Sequence, residues 1–159
     1  MNQPFGLMAD LHLHPWSSFA GTDENGVNTR LTGLLREIYR CAEYVKEARG
    51  DTVVMAGDVF HVRGSVSPVV LNSTKDMLSA IHKELGVKFV IIPGNHDLEG
   101  KETTRLGSAV TSLECDWVQI ANEATFFPNL HSVLVPWVEG VEPLKAQLKS
   151  LAPSKTSDI

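Results

Sequence analysis

The sequence lacks the basic excess of a protein that coats nucleic acid. Its 14 Lys and Arg stand against 19 Asp and Glu, a net charge of −5, whereas such proteins present a basic surface. That balance still admits an enzyme that meets phosphates through metal ions, because bound cations supply the positive charge locally. No apolar run approaches the roughly 18 residues needed to span a bilayer. The N-terminus has no basic region followed by an apolar stretch, so neither a membrane span nor a signal peptide is expected. Cysteine is scarce: Cys41 and Cys115 are the only two. In a chain without an export signal they read as reduced core residues rather than a bridge, and the cytoplasm as the address. Internal repeats and low-complexity tracts are absent. What remains is an ordinary composition, 43% hydrophobic and 21% charged over 159 residues, which suits one globular domain.

Three short apolar runs end in polar clusters. "FGLMAD" (5–10) is followed by a Gly-, Ser- and Asn-rich loop. "DTVVMAGD" (51–58) and "VKFVIIPGNHD" (87–97) complete the set. Between them lie two helices. One starts near Asn28 or Thr29, repeats Leu31, Leu34, Leu35, Ile38, Ala42 and Val45 at helical spacing, and stops near Gly50. The other opens on Ser67-Pro68, a cap and first-turn pair, and stops at Gly86. Beyond Lys101, residues 102–113 read as helical, "DWVQIA" and "HSVLVPW" as strands, and "VEPLKAQLKSL" as a closing helix. Alternating strands and helices, with continuously apolar strands, predict an α/β fold on a mostly parallel sheet flanked by helices. The domain is expected to occupy residues 1–152, with 153–159 as a polar tail.

In a parallel sheet the carboxyl ends of the strands share one edge, where ligand sites open. The three runs deliver Asp10, His12 and His14; Gly57, Asp58 and His61; and Gly94, Asn95, His96 and Asp97 to that edge. Carboxylate and amide oxygens with imidazole nitrogens suit Mn, Fe or Zn. Asp10 and His12, two apart on an extended segment, should share a face and chelate one ion. Asp58, at a glycine turn, can bridge two. A pair of ions about 3.5–4 Å apart holds a phosphate and activates a bridging water. His96 would then be free to steady the transition state or protonate the leaving oxygen.

Asp10-x-His12, Gly57-Asp58 and Gly94-Asn95-His96-Asp97, each ending a predicted strand, resemble the first three motifs of the calcineurin-like metallophosphoesterases. "HSVLVPW" resembles the strand that follows the third motif in the DNA-repair nucleases of the SbcD type, partners of the SbcC ATPase. The resemblance implies the N-terminal part of an αββα sandwich. It implies that Asp10, His12 and Asp58 hold one divalent ion, and that Asp58 and Asn95 hold a second. Mn is the preferred ion, with Fe, Zn or Mg as alternatives. It also implies that His96 is the catalytic histidine, oriented by Asp97. Two departures stand out. His14 occupies a position where this branch commonly has Gly, and the family's later motifs, an isolated His and a Gly-His-x-His, do not occur. The chain is therefore expected to be the N-terminal part of a longer phosphoesterase, or half of a split one. Activity of the chain alone should be weak or absent, the second ion site incomplete, and an apolar sheet face left to cover by association.

His61, His14 and Arg63 are candidates to touch substrate phosphate; His61 and His14 are equally well solvated loop residues, and for Arg63 a solvated rim is the slightly favoured reading. Lys101 and Arg105 could likewise contact a DNA backbone, with a solvated rim again slightly favoured. Trp16 and Phe19 could stack on a base, though packing of their loop is the favoured reading. Trp117 and Trp137 read as core, His82 as surface, His131 as structural. The leading functional reading is a metal-dependent DNA exonuclease or endonuclease. The alternatives are a phosphoesterase for small phosphodiesters, nucleotides or phosphoproteins, and a non-catalytic module. Such a module would assemble with an SbcC-like ATPase subunit, a complementary C-terminal chain or a second copy.

Overall fold

The computed structural model describes residues 3–100 and 107–151. The elements run β1 (Phe5–Met8), α1 (Thr29–Glu47), β2 (Thr52–Ala56), α2 (Pro68–Leu85), β3 (Lys88–Ile92), a 3-10 turn (Ala109–Leu113), β4 (Val118–Ile120), β5 (Thr125–Phe127), β6 (Ser132–Leu134) and α3 (Val141–Ser150). Strands β1-β2-β3-β4 form one parallel sheet in that order, and β5-β6 form a separate antiparallel pair.

The helices start where the side chains say they should. Asn28 accepts from the N–H groups of Arg30 and Leu31, and Ser67 from that of Val70, each satisfying donors that a helix start leaves orphaned. Gly86 ends α2 in the left-handed conformation at φ 69°, as a C-terminal glycine does. The end of α1 is different. Arg49 takes the left-handed position, at φ 65°. Gly50 matters instead for close approach, because a Cβ there would run into the Pro4 carbonyl.

Strand order explains the layering. Crossovers from β1 to β2 and from β2 to β3 are right-handed as a rule, and with strands in sequential order that puts both helices on one face. Val53, Met55, Phe89, Ile91, Val118 and Ile120 face α1 and α2 in one core cluster with Leu31, Leu35, Ile38, Leu78 and Ile81. The opposite face carries Val54 and Val90, covered by Ala121, just after β4, and by Phe127, Leu130 and Leu134 of the β5-β6 hairpin and the turn inside it. That cover stops short of β1. Leu7 lies in register with Val54 and Val90, yet is 65% exposed. The apolar face expected to be left open is thus largely covered here, with Leu7 exposed beyond the cover. Helix α3 buries none of its residues and is tied down by Gln147, whose Oε1 accepts from the Ala124 N–H.

Several expectations need correction. Of 102–113, residues 102–106 lie outside the described residues, and Ala109–Leu113 forms a 3-10 turn rather than an α-helix. Strand β5 was not expected at all. Cys115 is exposed rather than core, while Cys41 is half-buried. His82 is not a free surface residue: it stacks on Trp117 with ring centroids 4.9 Å apart, and its Nδ1 lies 3.0 Å from the Val87 carbonyl. The expected tail at 153–159 lies outside the described residues, as do Lys101 and Arg105.

Candidate metal centre

The edge at the carboxyl ends of β1, β2 and β3 is stitched by backbone hydrogen bonds that continue past the strands. Asp10 N–H donates to Gly57 O, His12 N–H to Asp58 O and Leu13 N–H to Val59 O, while Gly57 N–H donates to Ile92 O. These bonds hold three loops in fixed register. Gly94 packs so tightly on the second loop that a Cβ would strike the Asp58 amide nitrogen and carboxylate. Gly57 supplies φ 88°, a conformation glycine adopts without strain.

Asp10, His12 and Asp58 all sit in the left-handed region, at φ 53°, 45° and 47°. Asp10 and His12 are therefore not on an extended segment. Their side chains converge because the backbone coils, not because residues two apart share a strand face. Such conformations are uncommon for non-glycine residues and concentrate at functional sites.

The coiling brings the donors together. One ligand atom each from Asp10, His12 and Asp58 lie within 4.8 Å of one another. Asp58 is 8% exposed, and its Oδ2 is 3.8 Å from His12 Nε2 while its Oδ1 accepts from the His96 N–H at 2.9 Å. The Asn95 amide sits 3.0–3.1 Å from both Asp58 oxygens, and its other end is 2.6 Å from Arg63 Nη2. With the amide nitrogen toward Asp58 and its oxygen toward Arg63, every contact is a hydrogen bond. A cleft of about 330 Å³ opens over this group, lined by Asp10, Asp58 and Asn95 together with Val135 and Trp137. Trp137, expected in the core, is half-buried and forms part of that wall, anchored by its N–H on Pro93 O at 3.0 Å.

A second cluster abuts the first. His12, His61 and His96 also bring one nitrogen each within 4.8 Å of one another. His96 Nδ1 lies 2.6 Å from the His61 carbonyl. A carbonyl only accepts, so Nδ1 carries the proton and Nε2 is left free. Asp97 does not orient this ring. Its carboxylate, fully buried, accepts from the N–H groups of Val59, Phe60 and Gly94. It clamps the second loop to the third. Burial pushes the Asp97 carboxyl above its ordinary pKa, opposed by those three donors. The His61 imidazole is held below its ordinary value by desolvation and by its neighbours His12, His14 and His96.

Around the rim, Trp16 lies 4.4 Å from the His61 ring and 5.0 Å from His14, and the Arg30 guanidinium sits 5.6 Å from the Trp16 ring centre. Phe19 does not pack, contrary to expectation: it is fully exposed, at φ 57°. The Arg30 side chain, unremarked in the sequence, also holds this loop by donating to the Ser18 carbonyl. Only the helical position of Arg30, one residue into α1 beside a loop tryptophan, hinted at that.

Carboxylate, amide and imidazole donors grouped at the strand ends of an α/β domain are a set suited to binding divalent ions. Residues 3–147 match the family described as calcineurin-like phosphoesterase. The chain belongs to that family, whose members are hydrolases that bind divalent metals. Among solved structures it is similar to the nuclease MPE of Pseudomonas putida, at 24% identity and a TM-score of 0.47 over 77% of this chain and 48% of that one. It is also similar to a dimetal phosphatase from Danio rerio, at 19% identity and a TM-score of 0.43 over 68% of this chain and 34% of that one. The chain thus spans about half of the first protein and a third of the second. No helix among the described residues is long and apolar enough to cross a membrane.

The donor set fits a divalent ion. With the Asn95 oxygen turned toward Asp58, two oxygens would face each other 3.0–3.1 Å apart. That is roughly the spacing of neighbouring ligands on an ion with bonds of about 2.1 Å.

Proposed function

We propose that this chain contributes the Asp10, His12, Asp58 and Asn95 portion of a two-cation phosphodiesterase site whose substrate is DNA. The observation that carries the reading is the convergence of the Asp10, His12 and Asp58 donor atoms within 4.8 Å from loops that are distant in sequence. Asp10, His12 and Asp58 would hold one ion, and Asn95 with Asp58 would hold the other. Mn suits this mixed oxygen and nitrogen set. When bound, the ions supply a water activated near neutral pH and a clamp on the phosphate.

The protein's own groups do the rest. His96, with Nδ1 fixed on the His61 carbonyl, presents Nε2 and, as the imidazolium, donates the Nε2 proton to the leaving oxygen. Asp97 acts on the site through the loops it clamps rather than through His96. Arg63, His61 and His14 stand where a phosphate would approach. The aromatic rim of Trp16 and Phe19, backed by Arg30, favours a substrate that carries bases over a phosphopeptide. The proposed setting, on the resemblance of its motifs, is the cytoplasm, alongside an SbcC-like ATPase.

Calorimetry with Mn tests the ligand assignment. Asp58→Asn should abolish binding, and equal affinity in the variant and the parent would overturn it. Cleavage of a single-stranded oligonucleotide, bis-p-nitrophenyl phosphate and a phosphopeptide, each with Mn, tests the substrate class. Turnover of the phosphopeptide alone would replace the DNA reading.

A further inference from the structure

The histidine cluster has a donor set unlike that of its neighbour. His12 Nδ1 and His61 Nδ1 are 3.4 Å apart. Two imidazole ligands on a tetrahedral ion, each at 2.0–2.1 Å, lie about 3.4 Å from one another. His96 offers Nε2 as a lone-pair donor, because its Nδ1 proton is committed to the His61 carbonyl. That is how metal-binding histidines are commonly oriented, with the second ring nitrogen on a backbone carbonyl. The three rings pack against one another, His12 edge-on to both others at 5.3 and 5.0 Å and His61 near-parallel to His96 at 5.6 Å, with one nitrogen of each within 4.8 Å of the others. All three donors are neutral nitrogens. Such a set selects Zn, Cu or Ni over Mn or Mg.

His12 belongs to both clusters through different nitrogens. Nδ1 faces His61, while Nε2 faces the Asp58 carboxylate at 3.8 Å. A neutral imidazole has one lone pair and one N–H, so His12 can ligate on one side only. We propose that His12, His61 and His96 form a separate site for a borderline transition ion such as Zn, and that its occupancy withdraws His12 from the Asp10 and Asp58 group. Zinc then antagonises Mn at the carboxylate site by taking a shared ligand, without displacing Mn from the carboxylates themselves. From the proposed function this takes only the pairing of His12 with Asp58.

Titration of the purified full chain with Zn alone, Mn alone and Mn in the presence of Zn tests the proposal. The readouts are calorimetry, the visible absorption of Co as a zinc surrogate, and two-bond nitrogen–proton NMR to report which His12 nitrogen is ligated. His61→Ala should weaken Zn by at least the roughly 10–100-fold that loss of a supporting partner brings, and leave Mn within about threefold. Asp58→Asn should do the reverse. Zn should move ligation from His12 Nε2 to Nδ1 and raise the apparent Kd for Mn. His96→Ala serves as a second zinc-site variant, with amide spectra confirming that each variant is folded. Unchanged Zn affinity in both histidine variants would overturn the proposal. So would parallel loss of both ions in every variant, which would mean a single shared centre, or independent binding of Zn and Mn. If Mn binds nowhere while Zn still depends on His61, the histidine site stands and the proposed function falls.

Discussion

The helix-covered layer of the sheet and the loop rim at its edge are built by different rules. In the layer, Leu31, Ile38, Ala42, Val53, Ile81 and Ile91 are all 0% exposed, on regular strands and helices whose spacing follows from period and burial. At the rim, Asp10, His12 and Asp58 adopt left-handed backbone, and Asp10 and Asp58 line a cleft. Close packing leaves the layer no room for polar chemistry, while the rim holds its strained residues only because the layer fixes where each loop starts. Asp97 belongs to both. It is as buried as any core residue, yet its three bonds go to loop amides.

Variants on either side should separate the two. Phe89, 1% exposed in the layer, should show the largest effect: Phe89→Ala is expected to cost about 3–5 kcal/mol in urea unfolding. Asp97→Asn comes next. One end of the amide becomes a donor and faces an N–H, which leaves at least one buried donor orphaned at about 1–3 kcal/mol. Its signature is dual, because Mn affinity should fall together with stability as the second and third loops part. A variant that lost stability but bound Mn like the parent would show that Asp97 is merely core.

The same division decides what the sequence reveals. Strands β2 and β3, the stripes of α1 and α2, and the caps at Asn28, Ser67 and Gly86 follow from burial patterns and side-chain chemistry, and were legible. So was the gathering of polar residues at three strand ends, because parallel topology dictates it. Strands β5 and β6 were harder, at three residues each. A run that short carries no usable alternation, which is why one was missed and the other overextended. The coiled path through Asp10 and His12 was illegible for another reason. It is imposed by the backbone bonds to Gly57 and Asp58, residues more than forty positions away. The role of Asp97 was misjudged because adjacency to His96 suggested a partner that the fold places elsewhere.

Left-handed backbone occurs in both settings, which allows its cost to be compared. Arg49 closes α1 at φ 65° with no place in the site. Replacing it with glycine should raise stability by about 0.5–1 kcal/mol, the cost of a Cβ in that conformation less the entropy of the freer residue. Asp10→Gly should gain less, since Asp tolerates the conformation better, and should lose Mn binding altogether. Thermal unfolding of both variants makes the test. A clear loss of stability in Asp10→Gly would mean that the Asp10 side chain supports the fold, and the rim would no longer be a place where backbone strain serves chemistry.

The smallest expected effect is electrostatic and confined to the rim. His61 is held below its ordinary pKa of 6.5 by desolvation first, then by His12, His14 and His96. The sign of the linkage follows from which state takes the proton. As the pH falls through the window beneath 6.5, the unfolded chain protonates His61 while the folded chain does not. The unfolded state then binds more protons, so this residue makes stability fall as pH is lowered there, and contributes no slope well above that window. In the layer the Cys41 thiol, packed against the core, is pushed up from its ordinary value by burial, so it responds away from this window. The His61 ring resonance should therefore titrate below 6.5, and His14→Ala should move it upward by removing one of the repelling neighbours. A midpoint at or above the ordinary value in the parent would mean that the imidazoles are not crowded as the coordinates place them. It would also remove the geometric basis for their sharing a metal ion.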